Sequence, residues 1–307
     1  MAKLLLITDN FFISPAHVQK LVEAGYDVKR LDKAAATEEE LIEALNGVSV
    51  YIIGGIEQVT DKVLDSTDAL QAIIFTGVDY SKFVPGEKTA VAKGIKIFNA
   101  PGANAVAVAE FAVAVALAMQ RQLFTISRNS DKKFVTTKSI EDSVVGVIGA
   151  GNIGKCIIDA VSAYKPKGQL YFNRSEKDVN AERSDLEQLV ATADIIFLTL
   201  PASAGTVFDN SLISKIKTGA LLVSISPNNL IDYHALLPRL EANEIRAAID
   251  WPSPTEAFER LPLDVWLSFN SHSAYNTHAA IKNVNDSVTA TAVDLLKSNN
   301  SSPGTLD

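Results

Sequence analysis

The run V-V-G-V-I-G-A-G-N-I-G-K-C-I-I-D-A-V, residues 144–161, constrains the fold more than any other part of the chain. An apolar strand pattern leads into Gly149, Gly151 and Gly154, and a helical pattern follows at once. In such a turn the first glycine permits a sharp bend, the second lets a phosphate come up against the backbone, and the third lets helix pack on strand. The helix then presents free N–H groups and the positive end of its dipole to an anion. A lone glycine pattern is also compatible with packing alone, but here the strand before it, the helix after it and a second strand, Q-L-Y-F-N, fall at the required spacing. The expectation is a dinucleotide-binding βαβ unit in which Gly149, Asn152, Gly151, Ile153 and Gly154 contact the cofactor.

The rest of the chain repeats the same alternation. K-L-L-L-I-T, S-P-A-H-V-Q-K-L-V-E-A-G, D-V-K-R-L, T-E-E-E-L-I-E-A-L, V-S-V-Y-I-I-G-G and L-Q-A-I-I-F-T-G switch between period-2 and period-3.6 patterns, which predicts a mostly parallel sheet. Thr37 with Glu40, and Ser184 with Glu187, have capping-box spacing. An Ala/Val-rich helix spans about Asn104 to Leu123, the second alternation starts at S-V-V-G-V-I-G, and a last helix runs from Asn276 to about Ser298 with no strand after it. At 307 residues and 47% hydrophobic content the chain is long enough for two cores, since one core rarely grows beyond ~250–300 residues. The expected class is α/β, with two Rossmann-like doubly wound parallel-sheet domains.

Charge and cysteine content bound the setting. A net charge of −8, with no like-charge block longer than Glu38-Glu39-Glu40, argues against nucleic acid or an anionic membrane as partner. The single cysteine, Cys156, reads as a small buried hydrophobe and points to a reducing, cytoplasmic compartment. The start M-A-K-L-L-L-I-T-D-N is too short an apolar run for a signal peptide.

The end of the strand after the glycines bears on cofactor choice. A carboxylate there would hold the NAD ribose hydroxyls and repel a 2′-phosphate. This chain has Asn173-Arg174-Ser175 instead. A guanidinium without a competing carboxylate favours NADP, with NAD possible; the alternative is that Arg174 points to solvent. Pro201, Ser226 and Asp250, at or just after the ends of later strands, complete the expected cofactor-binding set.

With those glycines joined to A-P-G-A-N-A-V-A-V-A-E before them and to L-I-D-Y-H-A-L, A-A-I-D and N-S-H-S-A-Y-N-T after them, the chain resembles the D-isomer-specific 2-hydroxyacid dehydrogenases over nearly its whole length. The resemblance implies a cofactor domain, 99–275, inserted into a substrate domain, 1–98 plus 276–307, and a homodimer formed through the long helix. It implies that His272 is the catalytic acid/base, a role suited to an imidazole near neutral pH. The family's partner carboxylate lies five residues after the aspartate of A-A-I-D; that position is Thr255, and Glu256 one further on is the candidate. Asp250 itself matches the position that bonds the nicotinamide carboxamide. His17, His234 and His278 read as loop or helix-surface residues.

Two positions depart from the family pattern. Pro227, in S-I-S-P-N-N-L-I-D, stands where the family keeps the arginine that holds the substrate carboxylate, and T-G-V-D-Y-S-K-F is a shortened form of the family's carboxylate-binding loop. Asn228, Asn229, Ser226, Tyr275 and Lys82 are the candidate replacements. The implied function is an oxidoreductase moving a hydride between NAD(P) and a small 2-hydroxyacid, 2-oxoacid or related carbonyl. A cofactor-binding but catalytically silent sensor is the alternative.

Overall fold

A computed structural model describes residues 3–8, 13–128, 134–269 and 272–300. In chain order the elements are β1 (Lys3–Thr8), α1 (Pro15–Ala24), β2 (Tyr26–Leu31), α2 (Glu38–Ala44), β3 (Val50–Ile53), α3 (Asp61–Asp65), β4 (Ala72–Phe75), α4 (Glu87–Ala92) and β5 (Lys96–Phe98). Two helices follow, α5 (Ala105–Gln120) and α6 (Leu123–Ser127). Then come β6 (Val144–Ile148), α7 (Asn152–Ser162), β7 (Gly168–Phe172), β8 (Glu182–Arg183), α8 (Leu186–Thr192), β9 (Ile195–Leu198), α9 (Asn210–Lys215) and β10 (Leu221–Ser224). The last are α10 (Tyr233–Glu241), β11 (Arg246–Ile249), α11 (Glu256–Glu259), β12 (Trp266–Ser268) and α12 (His278–Asn300). The chain forms two compact units, Met1–Asn104 with His278–Asp307, and Ala105–Thr277.

The first unit has a five-stranded sheet in the order β2-β1-β3-β4-β5, parallel throughout. Every residue of β3 (V-Y-I-I) and β4 (A-I-I-F) is buried, as expected of strands covered on both faces. α12 supplies Val284, Val288, Ala292 and Leu296, spaced four apart on one helical stripe, to a cluster with Leu5, Ile7, Ile52 and Ile74. That packing explains why no strand follows the last helix: it returns to close the N-terminal sheet. The Tyr26 hydroxyl donates to the Ala292 carbonyl at 2.8 Å, and burial pushes its pKa up to about 12. His17 is buried rather than at the surface, with Nδ1 2.7 Å from the Ser14 hydroxyl and Nε2 2.8 Å from Asp286, so it joins α1 to α12. Thr37 and Glu40 make both arms of a capping box. The loop after β4 is tied down by the Thr76 hydroxyl donating to Ile53 O at 2.8 Å and by the Ala100 N–H donating to Gly77 O at 2.9 Å.

The second unit has a seven-stranded parallel sheet in the order β12-β11-β10-β9-β6-β7-β8. Strand order reverses between β6 and β9, the point at which doubly wound sheets open a crevice for ligands beyond their carboxyl ends. On one face Ala109, Ala112 and Ala116 of α5 share a core with Ile157, Ile158 and Val161 of α7; small side chains let the two helices approach closely. On the other face Leu189, Leu212, Ile213, Leu236 and Leu240 cover the sheet. The cap of α8 is Asp185, and the Ser184 hydroxyl donates to the Asp185 carbonyl instead of closing a box with Glu187.

Candidate functional site

The glycine turn is built as its sequence requires. Gly149 has φ +100°, in the left-handed region that glycine enters without a Cβ penalty, and its N–H donates to Phe172 O at 2.8 Å. A Cβ at Gly154 would stand 2.0 Å from Gly149 O, so only glycine lets α7 sit this close to β6. Beside Gly151 there is open space, and this residue begins α7 with no side-chain cap. The N–H groups of Asn152, Ile153 and Gly154 are the first of α7 and have no side-chain cap, the arrangement by which a helix start accepts an anion. Thr199, just past β9, braces the turn: its hydroxyl donates to the carbonyls of Ile148 and Gly149.

At the end of β7, Asn173 Nδ2 donates to the Ser175 carbonyl at 2.9 Å and lies 3.3 Å from its hydroxyl, which curls the Asn173-Arg174-Ser175 turn. The buried Tyr171 hydroxyl accepts from the Lys177 N–H at 3.0 Å and donates to Lys177 O at 3.2 Å, pinning the far side of the same loop. Arg174 is exposed. Neither Thr199 nor Tyr171 was singled out by sequence reasoning. Tyr171 lies in β7 and Thr199 just past β9, and the role of each depends on a neighbour brought in by the sheet, although a threonine ending D-I-I-F-L-T is the one readable hint.

Pro201 caps a short 3₁₀ turn, Ala202–Ala204, after β9 and is exposed. Ser226 is buried and its hydroxyl donates to Leu198 O at 3.1 Å, so it ties the end of β10 to β9 and offers no donor outward. Pro227 leads into a 3₁₀ turn, Asn228–Leu230. Asn229 Nδ2 donates to Ala202 O at 2.9 Å, and Asn228 Oδ1 accepts from the Tyr233 hydroxyl at 2.9 Å. These amides hold the turn in place.

Asp250, just beyond β11, is 1% exposed. Its Oδ1 accepts from the N–H groups of Ser273 at 3.1 Å and Ala274 at 3.3 Å, and its Oδ2 lies 3.0 Å from His272 Nδ1. Nδ1 is also 3.0 Å from the Asp250 carbonyl oxygen. Both partners are acceptors, so Nδ1 carries the proton in the neutral ring. The imidazole stacks on Trp251, with centroids 4.1 Å apart and planes at 22°, and Tyr275 flanks it at 5.6 Å. His272 holds φ +44°, a left-handed conformation uncommon for a side-chain-bearing residue, which these contacts over-determine. Asp250 thus engages the 272–274 loop rather than presenting an open carboxylate.

Glu256 is not brought to His272. It starts α11 with its side chain 87% exposed and 3.5 Å from Arg260, its i+4 neighbour. A carboxylate on a short surface helix faces water, whereas the aspartate ending a buried strand faces the loop that crosses it. Spacing along the chain cannot distinguish these cases. Cys156 is half-buried on α7, and burial raises its thiol pKa, in keeping with an inert packing residue. Among the described residues no cluster of side chains suits a metal ion, and no helix is long and apolar enough to cross a membrane.

Comparison with known proteins adds to this geometry. The family model described as D-isomer specific 2-hydroxyacid dehydrogenase, NAD binding domain, matches residues 111–271, a little over half of the 307-residue chain. Hydroxypyruvate reductase of Thermotoga maritima is 29% identical over 219 residues, covering 69% of this chain and 71% of that protein. D-3-phosphoglycerate dehydrogenase of Methanocaldococcus jannaschii is 28% identical over 257 residues, covering 80% of this chain and 48% of that protein. The chain thus spans about half the length of the phosphoglycerate dehydrogenases it matches. Among solved structures, an acyclic imino acid reductase in complex with NADPH and D-Arg shares the fold, with a TM-score of 0.83 at 22% identity over 96% of this chain and 97% of that one. The NAD⁺-bound 3-phosphoglycerate dehydrogenase of Entamoeba histolytica shares it too, with a TM-score of 0.81 at 16% identity over 100% and 99%.

Proposed function

Because the chain belongs to the D-isomer-specific 2-hydroxyacid dehydrogenases, we propose that it is an NADP-preferring oxidoreductase acting on a small 2-oxoacid or related carbonyl, with His272 as acid/base. The observation that carries this reading is the imidazole anchored by Asp250 and stacked on Trp251, at the same edge of the sheet as the glycine turn. The bound nicotinamide supplies the hydride in reduction and takes it up in oxidation. The glycine turn and the first N–H groups of α7 hold the diphosphate. With Nδ1 engaged by Asp250, we assign Nε2 to proton exchange with the substrate oxygen. As negative charge builds on that oxygen during reduction, Nε2 delivers its proton, and the Asp250 carboxylate stabilises the imidazolium form that precedes delivery.

The substrate clamp is the unusual part. Proline at 227 brings no donor, and the side chains of Asn228, Asn229 and Ser226 are committed to the protein. Losing one preorganised donor to a developing oxyanion costs roughly 10²–10³ in rate, which argues against an ordinary 2-oxoacid pocket. This supports a substrate whose reacting group is held without an arginine from this turn. The fold shared with an imino acid reductase makes imines worth including with uncharged carbonyls. Asn173-Arg174-Ser175, with no carboxylate, supports NADP. The apolar groove of about 330 Å³ between α5 and α7, lined by Val106, Val113, Leu117, Cys156, Ala160 and Tyr164, supports a homodimer formed through α5. The single, packed cysteine supports a cytoplasmic setting.

The test is cofactor oxidation with NADPH and NADH against 2-oxoacids, 2-imino acids and uncharged aldehydes and ketones. We expect turnover with at least one class, and a loss of about 10²–10⁴ in kcat for His272→Ala with NADPH affinity retained. Tight NADPH binding with no turnover of any class, unaffected by His272→Ala, would establish the silent sensor instead.

A further inference from the structure

We propose that Arg183 is the second guanidinium of a two-arginine clamp for the 2′-phosphate that distinguishes NADP from NAD. The inference rests on the NADP reading above and extends it to a residue that neither the glycine pattern nor the Asn173-Arg174-Ser175 turn identifies. Arg183 lies on β8, a two-residue edge strand that pairs in parallel with β7 so that Arg183 stands opposite Tyr171. Ten residues of chain separate it from Asn173, yet the sheet returns it to the same turn. Its Nη2 lies 3.4 Å from Asn173 O and 3.3 Å from Arg174 O, which puts the guanidinium against the loop that carries Arg174.

These are long contacts from a single nitrogen. A guanidinium has five N–H donors, and among the described residues Nε and Nη1 of Arg183 have no hydrogen-bond partner. Nor does either Arg174 or Arg183 form an ion pair among the described residues, although Glu176, Asp178 and Glu182 are near in sequence. Each of those three carboxylate residues is exposed. The Arg183 guanidinium thus lies against the backbone of the residue that carries the Arg174 side chain, and a phosphate dianion held at this turn would accept paired N–H bonds from such groups.

The loop is also rigid enough to act as a site. Tyr171 pins Lys177, Asn173 curls back on Ser175, and Arg183 itself touches two loop carbonyls. In a doubly wound sheet the end of this strand is where the adenosine ribose is read, and the residue that would repel a phosphate there is absent. Arg183 is thus a specificity-determining residue, one that selects between two cofactors without touching the reacting atoms.

The experiment is direct binding to the full chain, by titration of NADPH and NADH and of adenosine 2′,5′-bisphosphate and 5′-AMP, for wild type, Arg183→Ala, Arg183→Lys and Arg174→Ala. Removing one charge-assisted contact is worth about ten- to hundredfold in affinity. Arg183→Ala is expected to weaken NADPH and the bisphosphate by that factor, with the loss absent for NADH and 5′-AMP and partly restored in Arg183→Lys. Equal weakening of NADPH and NADH would make Arg183 a prop for the loop and overturn the proposal. A selective loss in Arg174→Ala but not in Arg183→Ala would overturn it while leaving the NADP reading intact. A wild-type protein that binds NADH as tightly as NADPH would remove the NADP reading itself.

Discussion

Asp250 takes on two tasks through its two oxygens. Oδ1 receives the Ser273 and Ala274 N–H groups, folding the chain back after His272, and Oδ2 faces Nδ1 of that histidine. A buried carboxylate without such partners would be costly, so the loop and the aspartate stabilise each other. Asp250→Asn keeps the volume but puts an amide against a ring N–H that needs an acceptor, favouring the wrong tautomer. The expected result is a fall in kcat of about 10²-fold or more with NADPH affinity unchanged, measured by steady-state rates beside a cofactor titration. Unchanged kcat would show that the Asp250 contact does not orient the imidazole proposed as the acid/base.

The strands of the second unit are also joined at their starts, away from the site. Asp194, at the entry to β9, accepts the Val144 N–H of β6 at 2.9 Å and pairs with Lys217 Nζ at 2.8 Å and Lys138 Nζ at 3.2 Å. Burial alone would raise its pKa, but the hydrogen bonds from Lys217, the Val144 N–H and Lys138 outweigh burial and hold the carboxyl below its usual 3.8. A carboxylate depressed in the folded state stabilises the protein fully above its unfolded-state pKa, and that contribution is lost as pH falls through the folded value. Melting curves between neutral pH and about pH 2 should therefore show a fall in Tm on acidification that is shallower in Asp194→Asn. At neutral pH that variant should melt lower by roughly 3–10 °C, matching about 1–3 kcal/mol for a buried polar partner lost. An equally steep acid fall in the variant would assign the effect to other carboxylates.

The dimer proposed above places the outer face of α5 at its interface; on that face Val106 is 68% exposed, and the exposed Glu110 and Ala114 continue the same stripe four residues apart. A helix this rich in alanine and valine, with an apolar groove beside it, suits burial against a second copy better than contact with water. The proposed dimer predicts that Val106→Glu shifts the species seen by light scattering from dimer to monomer while the fold, followed by circular dichroism, persists. A wild-type protein that is monomeric at every concentration tested would remove the dimer. The chain's return in α12 has a separate consequence: Val288 and Ala292 share a core with Leu5 and Ile7, so the first unit is completed only when the C-terminal helix is present.

Much of this was legible in the residues themselves. Alternating periods called for parallel sheets, and three glycines before a helix called for a turn that Gly149 and Gly154 indeed could not fill with larger side chains. Those features depend on neighbours within a few positions, and local spacing carries them. Asp250 meeting His272 across 22 residues, Arg183 returning beside Asn173, Thr199 bracing Gly149 and His17 joining Asp286 depend instead on which strand or helix lies next to which. Strand order is set by packing over the full sheet, not by any short run of sequence. Glu256 illustrates the difference: counting residues put a carboxylate near the histidine, whereas the burial of β11 and the exposure of α11 gave that place to Asp250.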